Sequence, residues 1–363
     1  MKIQKRSICL ARLQHTSMVD YSSFICSLEM KLIGKRYLMT DIAILKRENS
    51  TAKTTELTQA LKNLSELNAF EQLTVFVTGS YARKEASQFS DIDLFFLLDC
   101  NLANVSSPNT KRLRLFSKII EIADGMKFPA FSNDGQFLDI LEYPNMEEEL
   151  GGINDDHSNY FTARMLMLLE SNPVFGEATY EKILTNIVQA YFRDYKHHPE
   201  NFLPIFLIND ILRFWKTLCL NYENKRNQPD AQHERKIKQK IKNFKLKFSR
   251  MLTCFGSITA IIEMGADADV KQIVALRQDT PLERLTNVAN KYKALKDDIE
   301  KVQREYNWFL EVTNVSEAAL IDKFRDEIFK TDAFSRADEF GMSVYKIVRY
   351  VAEEKEYMRY LLI

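Results

Sequence analysis

Glycine and proline are scarce in this chain, with 10 and 8 among 363 residues. So few turn formers exclude a turn-rich all-β fold and favour long helices. Cysteine is equally sparse. Cys9, Cys26, Cys100, Cys219 and Cys254 never fall at CxxC spacing and each has apolar neighbours, which excludes a disulfide framework and a thiolate zinc site and reads as reduced, buried thiols. The five histidines form no HExxH or HxxxH pair. No apolar run approaches the roughly 20 residues of a membrane span. Net charge is missing too: 50 Lys and Arg balance 50 Asp and Glu, so there is no global pull toward nucleic acid or anionic membrane, only room for local patches. The first residues, MKIQKRSICLARLQHTSMV, are basic but lack the apolar stretch and small-residue cleavage site of a secretory signal. A cytoplasmic protein with no membrane partner is the expectation.

What is present is an ordinary globular balance, 45% apolar and 28% charged, at a length that suits two domains. Residues 1–45 read as a leader, partly helical or disordered, with Met18 and Met39 as alternative starts. Residues 50–70 carry Leu57, Leu61, Leu64 and Leu67 at helical spacing. Leu73 to Thr78 is a β-branched and aromatic run that ends at Gly79, and Ile92 to Leu98 is a second strand. A loop over 101–110, an amphipathic helix over 111–126 and a third strand, Phe137 to Leu141, follow. From Tyr160 the pattern is helical: 160–170, 178–195, 203–226, 234–264, 283–310, 316–330 and 335–361, with Pro173, Pro199, Pro229 and Pro281 between segments. The fold class is therefore α+β. A small mixed-sheet unit over 46–175 precedes a mostly helical domain over 176–363, and 224–232 is a polar linker.

The richest segment is FVTGSYARKEASQFSDIDLFFLLD, Phe76 to Asp99. Side chains alternate along a strand, so Asp91 and Asp93 point to one side, where their carboxylates repel unless a cation lies between them. Mg²⁺, with Mn²⁺ as the alternative, suits such oxygen donors because it binds through one or two carboxylates plus substrate phosphates. Asp139, the acid within the third strand, is the candidate third ligand of a two-metal site. Gly79 permits a tight turn and close approach to a phosphate, and Ser80 adds a hydroxyl. Asp99, six residues past Asp93 and so roughly 20 Å along the strand, is a strand-end turn residue.

These residues resemble the nucleotidyltransferase superfamily of the DNA polymerase β type: strand, Gly-Ser, acid-apolar-acid strand, later acid. The Ala82-Arg83-Lys84-Glu85 turn and the Ser-Asp-Ile-Asp-Leu ending look most like the bacterial enzymes that uridylylate the PII signal protein or adenylylate glutamine synthetase. The resemblance covers about 75–145. It implies that Asp91, Asp93 and Asp139 are catalytic metal ligands, that Gly79 and Ser80 hold the triphosphate, and that Arg83 and Glu85 shape the nucleotide-binding turn. The metal phosphohydrolase and ligand-sensing domains of the PII-modifying enzymes have no counterpart here, so their protein acceptor does not carry over.

In the helical domain, Ile208, Ile211, Trp215, Leu218 and Tyr222 form an apolar stripe, while Asn209, Arg213 and Lys216 share another face. In related transferases a helical domain closes one wall of the nucleotide cleft, which makes Arg213 and Lys216 candidate triphosphate contacts, against the plainer reading of a solvated face. Glu234 to Arg250 holds eight Lys or Arg residues around the stripe Ile237, Ile241, Phe244 and Phe248. Its outer face suits RNA phosphates, or is simply a lysine-rich solvated face. Asp155-Asp156-His157 reads as a capping loop, His197-His198 as a helix end, Glu147-Glu148-Glu149 as a solvated turn, and Trp215 and Trp308 as core. The expected activity is transfer of a nucleoside monophosphate from an NTP to a protein or RNA hydroxyl, with pyrophosphate released. The alternative is a non-catalytic nucleotide- or RNA-binding regulatory module on the same fold.

Overall fold

A central strand with apolar side chains on both faces organises the first half of the molecule. In the computed structural model, which describes residues 41–131, 135, 138–195, 202–226 and 233–362, all six residues of β1 (Leu73–Thr78) are buried. A continuous apolar run of that length is what a strand covered on both faces requires. β2 (Asp93–Leu98), β3 (Ile140–Glu142) and β4 (Ser171–Phe175) complete a sheet of order β3-β2-β1-β4. β1 pairs antiparallel with β2, from Leu73 opposite Leu98 to Thr78 opposite Asp93, and antiparallel with β4. β2 and β3 run parallel. A parallel pair needs a crossover, which the helix Pro108–Gly125 supplies.

Alternation along the strands sorts two layers. Leu73, Val75 and Val77 with Leu94, Phe96 and Leu98 pack against Leu57 and Leu61 of the helix Asp41–Lys62 and against Leu115 and Ile119 of the crossover helix. On the other face Phe76 stacks on Phe95 at 5.6 Å and meets the edge of Tyr180 at 5.8 Å, bringing the helix Glu177–Ala190 across the sheet. Each such aromatic pair is worth about 0.5–1.5 kcal/mol beyond its buried area.

β3 starts later than the sequence pattern predicts and leaves Asp139 one residue ahead of it. β4 is a strand the pattern misses, because Pro173 reads as a breaker. It lies at the end of the strand order, and an edge strand tolerates a residue without an N–H. The sheet ends at Phe175, and the described residues, sheet and later helices together, form one compact unit.

The helical part is built around aromatic rings. Phe248 stacks on Phe309 at 4.8 Å and meets Phe340 at 4.7 Å, while Phe244 meets Phe324 at 5.2 Å. Those rings draw together the helices Lys296–Val312, Glu317–Arg325 and Glu327–Glu354. Ile237, Ile241, Phe244 and Phe248 are all buried, as their spacing predicts. Ile208 and Ile211 are buried, whereas Trp215, Leu218, Tyr222 and Trp308 are half-buried. The long helix expected over 234–264 is His233–Lys245, a π turn over Leu246–Arg250, and Met251–Met264. The helix expected over 283–310 divides into Pro281–Ala289, opened by a capping box between Thr280 and Glu283, and Lys296–Val312. The polar stretches around Glu147 and Asp155 fold as short helices, Tyr143–Glu148 and Ile153–His157. Cys100, Cys219 and Cys254 are free thiols, and Cys254 is buried. The leader up to residue 40, His197-His198, Pro199, and the linker residues 227–232 with Pro229 lie outside the described residues.

Gly176 joins β4 to the next helix with φ +66°, and a Cβ there would collide with the Leu73 carbonyl oxygen. Gly176→Ala is expected to destabilise the fold by about 2–4 kcal/mol, since both the backbone angle and the backbone neighbour resist it. The midpoint of urea unfolding measures the loss, and an unchanged midpoint would refute this account of the β4 junction.

Candidate functional site

β1 delivers the chain to a turn that only glycine can begin. Gly79 has φ +66°, and a Cβ on it would lie 2.7 Å from Asp93 Oδ2. The antiparallel register that sets Thr78 opposite Asp93 therefore seats the Asp93 carboxylate directly over the Gly79 backbone. The short helix Gly79–Ala82 follows, closed by Arg83 N–H donating to Gly79 O at 3.0 Å, Lys84 N–H to Tyr81 O at 3.1 Å and Glu85 N–H to Ser80 O at 2.8 Å. Ser80 is half-buried. Before β2, the Ser87 N–H donates to Ser90 Oγ at 3.0 Å and the Ser90 N–H to Ser87 O at 3.1 Å, a local lock that fixes the approach to Asp91. Asp91 is half-buried and lies two residues ahead of β2.

The electrostatics join the two acids. Burial first, then the Asp91 charge, pushes the Asp93 carboxyl up to about 6, against the pull of Arg250 and Arg83. Burial first, then Asp91, raises the Tyr81 hydroxyl to about 12. Two cations face these acids from the helical part. Burial first, then Arg83, pushes the Arg250 guanidinium down to about 10, with Asp93 opposing. Burial lowers Lys245 as well, with Asp91 opposing most. Both side chains nevertheless keep contact with solvent, 29% of the Arg250 side chain being exposed and Lys245 lying open. A charge that feels desolvation while still touching water lines a cleft, and the accessible surface describes its access better than the desolvation does. Residues five apart do not share a face of an α-helix, but the π turn closes on such a spacing and turns Lys245 and Arg250 to the same side.

Beneath the turn lies a buried ionic cluster. Arg83 donates through Nε to Glu85 at 2.8 Å and through Nη1 to Glu170 at 2.6 Å. Glu170, its side chain fully buried, also pairs with Arg250 and accepts Thr253 Oγ1 at 3.3 Å. Lys46, 3% exposed, donates to the Glu85 carbonyl at 3.2 Å, and burial holds its amine down at about 8. Arg83 and Glu85, each 8% exposed, thus brace the turn from within.

The remaining sequence candidates stand apart. Asp139 is half-exposed, pairs with Arg112 at 3.1 Å and accepts the Ile140 N–H at 2.8 Å. Extending the parallel register from Phe96 and Ile140 sets it beside Phe95, one step in from Asp93 on the same face. Among the described residues no group of three or more His, Cys, Asp or Glu gathers closely enough to hold a metal ion. Arg213 stacks on Phe161 at 3.8 Å and pairs with Asp156 at 2.8 Å and Asp210 at 3.4 Å. Its neighbour Asp155 is a fully buried partner of Arg164 through two hydrogen bonds, 2.7 and 2.8 Å, rather than a solvent-side cap. Lys216 is exposed. On the basic helix Lys238 pairs with Glu317, Lys247 with Asp338, and Lys240 lies over Phe334, so part of that face is tied to the chain itself. Lys245, Arg250, Glu170 and Tyr306 are the site residues that sequence reasoning misses. The π turn that aims the first two leaves no mark in hydrophobic spacing.

With this geometry in view, the comparison with known families is informative: residues 57–159 match the family model described as a nucleotidyltransferase domain. The match supports a nucleotidyltransferase domain of the DNA polymerase β type over that segment. No curated protein and no solved structure matches it. The matched segment holds Gly79, Asp91, Asp93 and Asp139, whereas Lys245 and Arg250 come from beyond it.

A carboxyl raised in the folded state costs stability when it ionises. The folded protein holds its Asp93 proton up to about pH 6, while the unfolded chain releases it near 3.9, so the cost is absent below about pH 4 and complete above about pH 6. In chelator-containing buffer, Asp93→Asn is expected to be more stable than wild type at pH 7.5 by an amount of order 1–3 kcal/mol, and equal to it at pH 4. Urea titrations at the two pH values test this, and a gain of the same size at both would disprove it.

Proposed function

We propose that this chain is a metal-dependent nucleotidyltransferase acting in the cytoplasm. It moves a nucleoside monophosphate from a nucleoside triphosphate to a hydroxyl of a protein or RNA and releases pyrophosphate. The observation that carries the reading is the seating of Asp93 on the Gly79 backbone with Asp91 beside it and Lys245 and Arg250 opposite. Nucleotidyl transfer in general is what the family match supports. No helix among the described residues is long and apolar enough to cross a membrane.

The donor set fits a hard divalent cation. Asp91 and Asp93 offer only carboxylate oxygens, both reachable from solvent, and the absent Cβ of Gly79 leaves the Asp93 carboxylate room against the turn. Two carboxylates completed by phosphate oxygens make a Mg²⁺ site, and Mn²⁺ takes the same donors. Bound there, the ion supplies charge neutralisation at the triphosphate and acidifies the acceptor hydroxyl. Asp139 has the register of a third acid, but Arg112 engages its carboxylate, and the reading rests on Asp91 and Asp93.

The chain's own residues do the rest by placement. Gly79 lets the backbone approach the triphosphate without a side chain in the way, and Ser80 offers its hydroxyl. Lys245 binds the phosphate oxygens as a point charge, and Arg250, anchored on Glu170 through Nη1, adds its positive charge from the same wall. The acceptor hydroxyl oxygen attacks the α-phosphorus in line and gives up its proton to solvent, the bond from that phosphorus to the bridging oxygen breaks, and pyrophosphate departs toward the two cations. The acceleration comes from positioning and fixed charge rather than covalent work by the protein.

A label-transfer assay tests this with Mg²⁺, each α-³²P-labelled NTP in turn, and cell extract as the source of acceptor. Label in a protein or RNA band is expected, reduced by about 10³-fold or more in Asp91→Asn and in Asp93→Asn, with both variants folded. Transfer that survives both substitutions would exclude the carboxylate mechanism. No label with any nucleotide would favour a binding module. Among the cations, Lys245→Ala is expected to raise KM for the NTP about tenfold. Arg213→Ala should leave KM alone and cost about 1 kcal/mol of stability, because Arg213 is spent on Asp156 and Asp210. The opposite ranking of the two KM values would return Arg213 to the nucleotide.

A further inference from the structure

Tyr306, on the helix Lys296–Val312, is 1% exposed and lies beneath both walls of the site. Its hydroxyl donates to Glu85 Oε1 at 2.5 Å, a contact spanning 221 residues of sequence. Glu85 closes the turn that begins at Gly79, and Phe248, within the π turn that ends at Arg250, stacks on Phe309 of the Tyr306 helix at 4.8 Å. One buried hydroxyl therefore ties the segment that seats Asp93 to the helix against which the π turn packs.

The bridge is more than local packing. The Tyr306 ring lies against Phe309 at 5.5 Å and Phe340 at 5.9 Å, contacts a phenylalanine would make as well. The hydroxyl is the added element, and a hydroxyl so deeply buried is costly unless it is hydrogen-bonded. Its partner Glu85 grips Arg83 through the second carboxylate oxygen at 2.8 Å, and the Arg83 N–H holds the Gly79 carbonyl at 3.0 Å. Gly79 in turn supports Asp93. Each link from Tyr306 to Asp93 is thus a hydrogen bond or a close contact.

We propose that Tyr306 is a positioning residue for nucleotidyl transfer: its hydroxyl, bonded to Glu85 from a helix that packs on the π turn, sets the spacing between the turn that seats Asp93 and the π turn that carries the cation. The inference rests on the transfer reading above. A spacing error weakens contacts that sharpen as charge develops on the departing phosphate more than it weakens ground-state binding, so it falls on kcat rather than KM.

Tyr306→Phe tests this with two readouts. In steady-state transfer, kcat is expected to fall about tenfold while KM for the NTP stays within about twofold. In native-state hydrogen exchange, the amides of Arg83, Lys84 and Glu85 are expected to exchange at least about fivefold faster while those of Val75 and Val77 keep their rates. Glu85→Gln, which weakens the other end of the same bond and leaves the ring in place, is expected to shift both readouts the same way by a smaller factor. Turn amides that stay unchanged in both variants, or that quicken in step with Val75 and Val77, overturn the proposal, as does an unaltered kcat. A wild-type chain that transfers nothing overturns the transfer reading instead, and the exchange comparison still decides whether the hydroxyl holds the turn.

Discussion

The candidate site depends on one pairing, Thr78 opposite Asp93. A slip of one residue would send the acids to the opposite face of the sheet and put the Asp93 carboxylate out of reach of Gly79. What forbids the slip is burial on both faces. Leu73, Val75 and Val77 are committed to the helices on one side, and Phe76 is committed to Phe95 and Tyr180 on the other. The apolar content of β1 is thus the means by which two carboxylates are held where burial and mutual repulsion oppose them.

The helical part completes the site as well as covering the sheet. Arg83 and Arg250 converge on the single buried carboxylate of Glu170, and Glu85 takes the other edge of Arg83. Replacing such a buried network by apolar residues of similar volume is often nearly neutral for stability, whereas removing one partner typically costs 3–5 kcal/mol. The network is therefore better explained by the geometry it enforces than by net stabilisation. It ties the Gly79 turn to the helix Met251–Met264 through Thr253 and to the helix Lys296–Val312 through Tyr306. The segment that matches the transferase family ends at residue 159, before any of these helical partners begins, so the matched part alone does not contain the site.

Much of this was legible in the sequence. β1, β2, the Gly-Ser turn and the acid-apolar-acid run are encoded by neighbours in the chain and lie within about two residues of their expected places, whereas the C-terminal helices are legible as helices but not in their ends, the one expected over 335–361 being Glu327–Glu354. What was illegible depends on partners distant in sequence. Pro173 argues against a strand until its place at a sheet edge is known, and Arg213 reads as a free cation until Asp156 and Phe161 are folded against it. Lys245 and Arg250 sit inside a run whose lysines all look alike. The π turn breaks the 3.6-residue phase on which such a run is read, and only the fold separates the lysines bound to Glu317 and Asp338 from the one beside Asp91.

The balance of charge around Asp93 says what the cleft is suited to receive. Two guanidiniums act on this carboxyl, and burial together with Asp91 still outweighs them, leaving it raised to about 6. Both guanidiniums are already engaged, Arg83 between Glu85 and Glu170 and Arg250 on Glu170, so neither can move closer to relieve the acids. The charged form of Asp93 is therefore held at a cost near neutral pH, and any cation that reaches the pair from solvent recovers that cost as binding energy. On the proposed reading that cation enters with the nucleotide. Its affinity must then rise with pH through about 6, because proton and metal compete for the same oxygens. Lys245 and Arg250 meet the opposite requirement. They would repel a bare metal ion but attract a metal still wrapped in phosphates, so the two walls of the cleft favour the complex over either component alone.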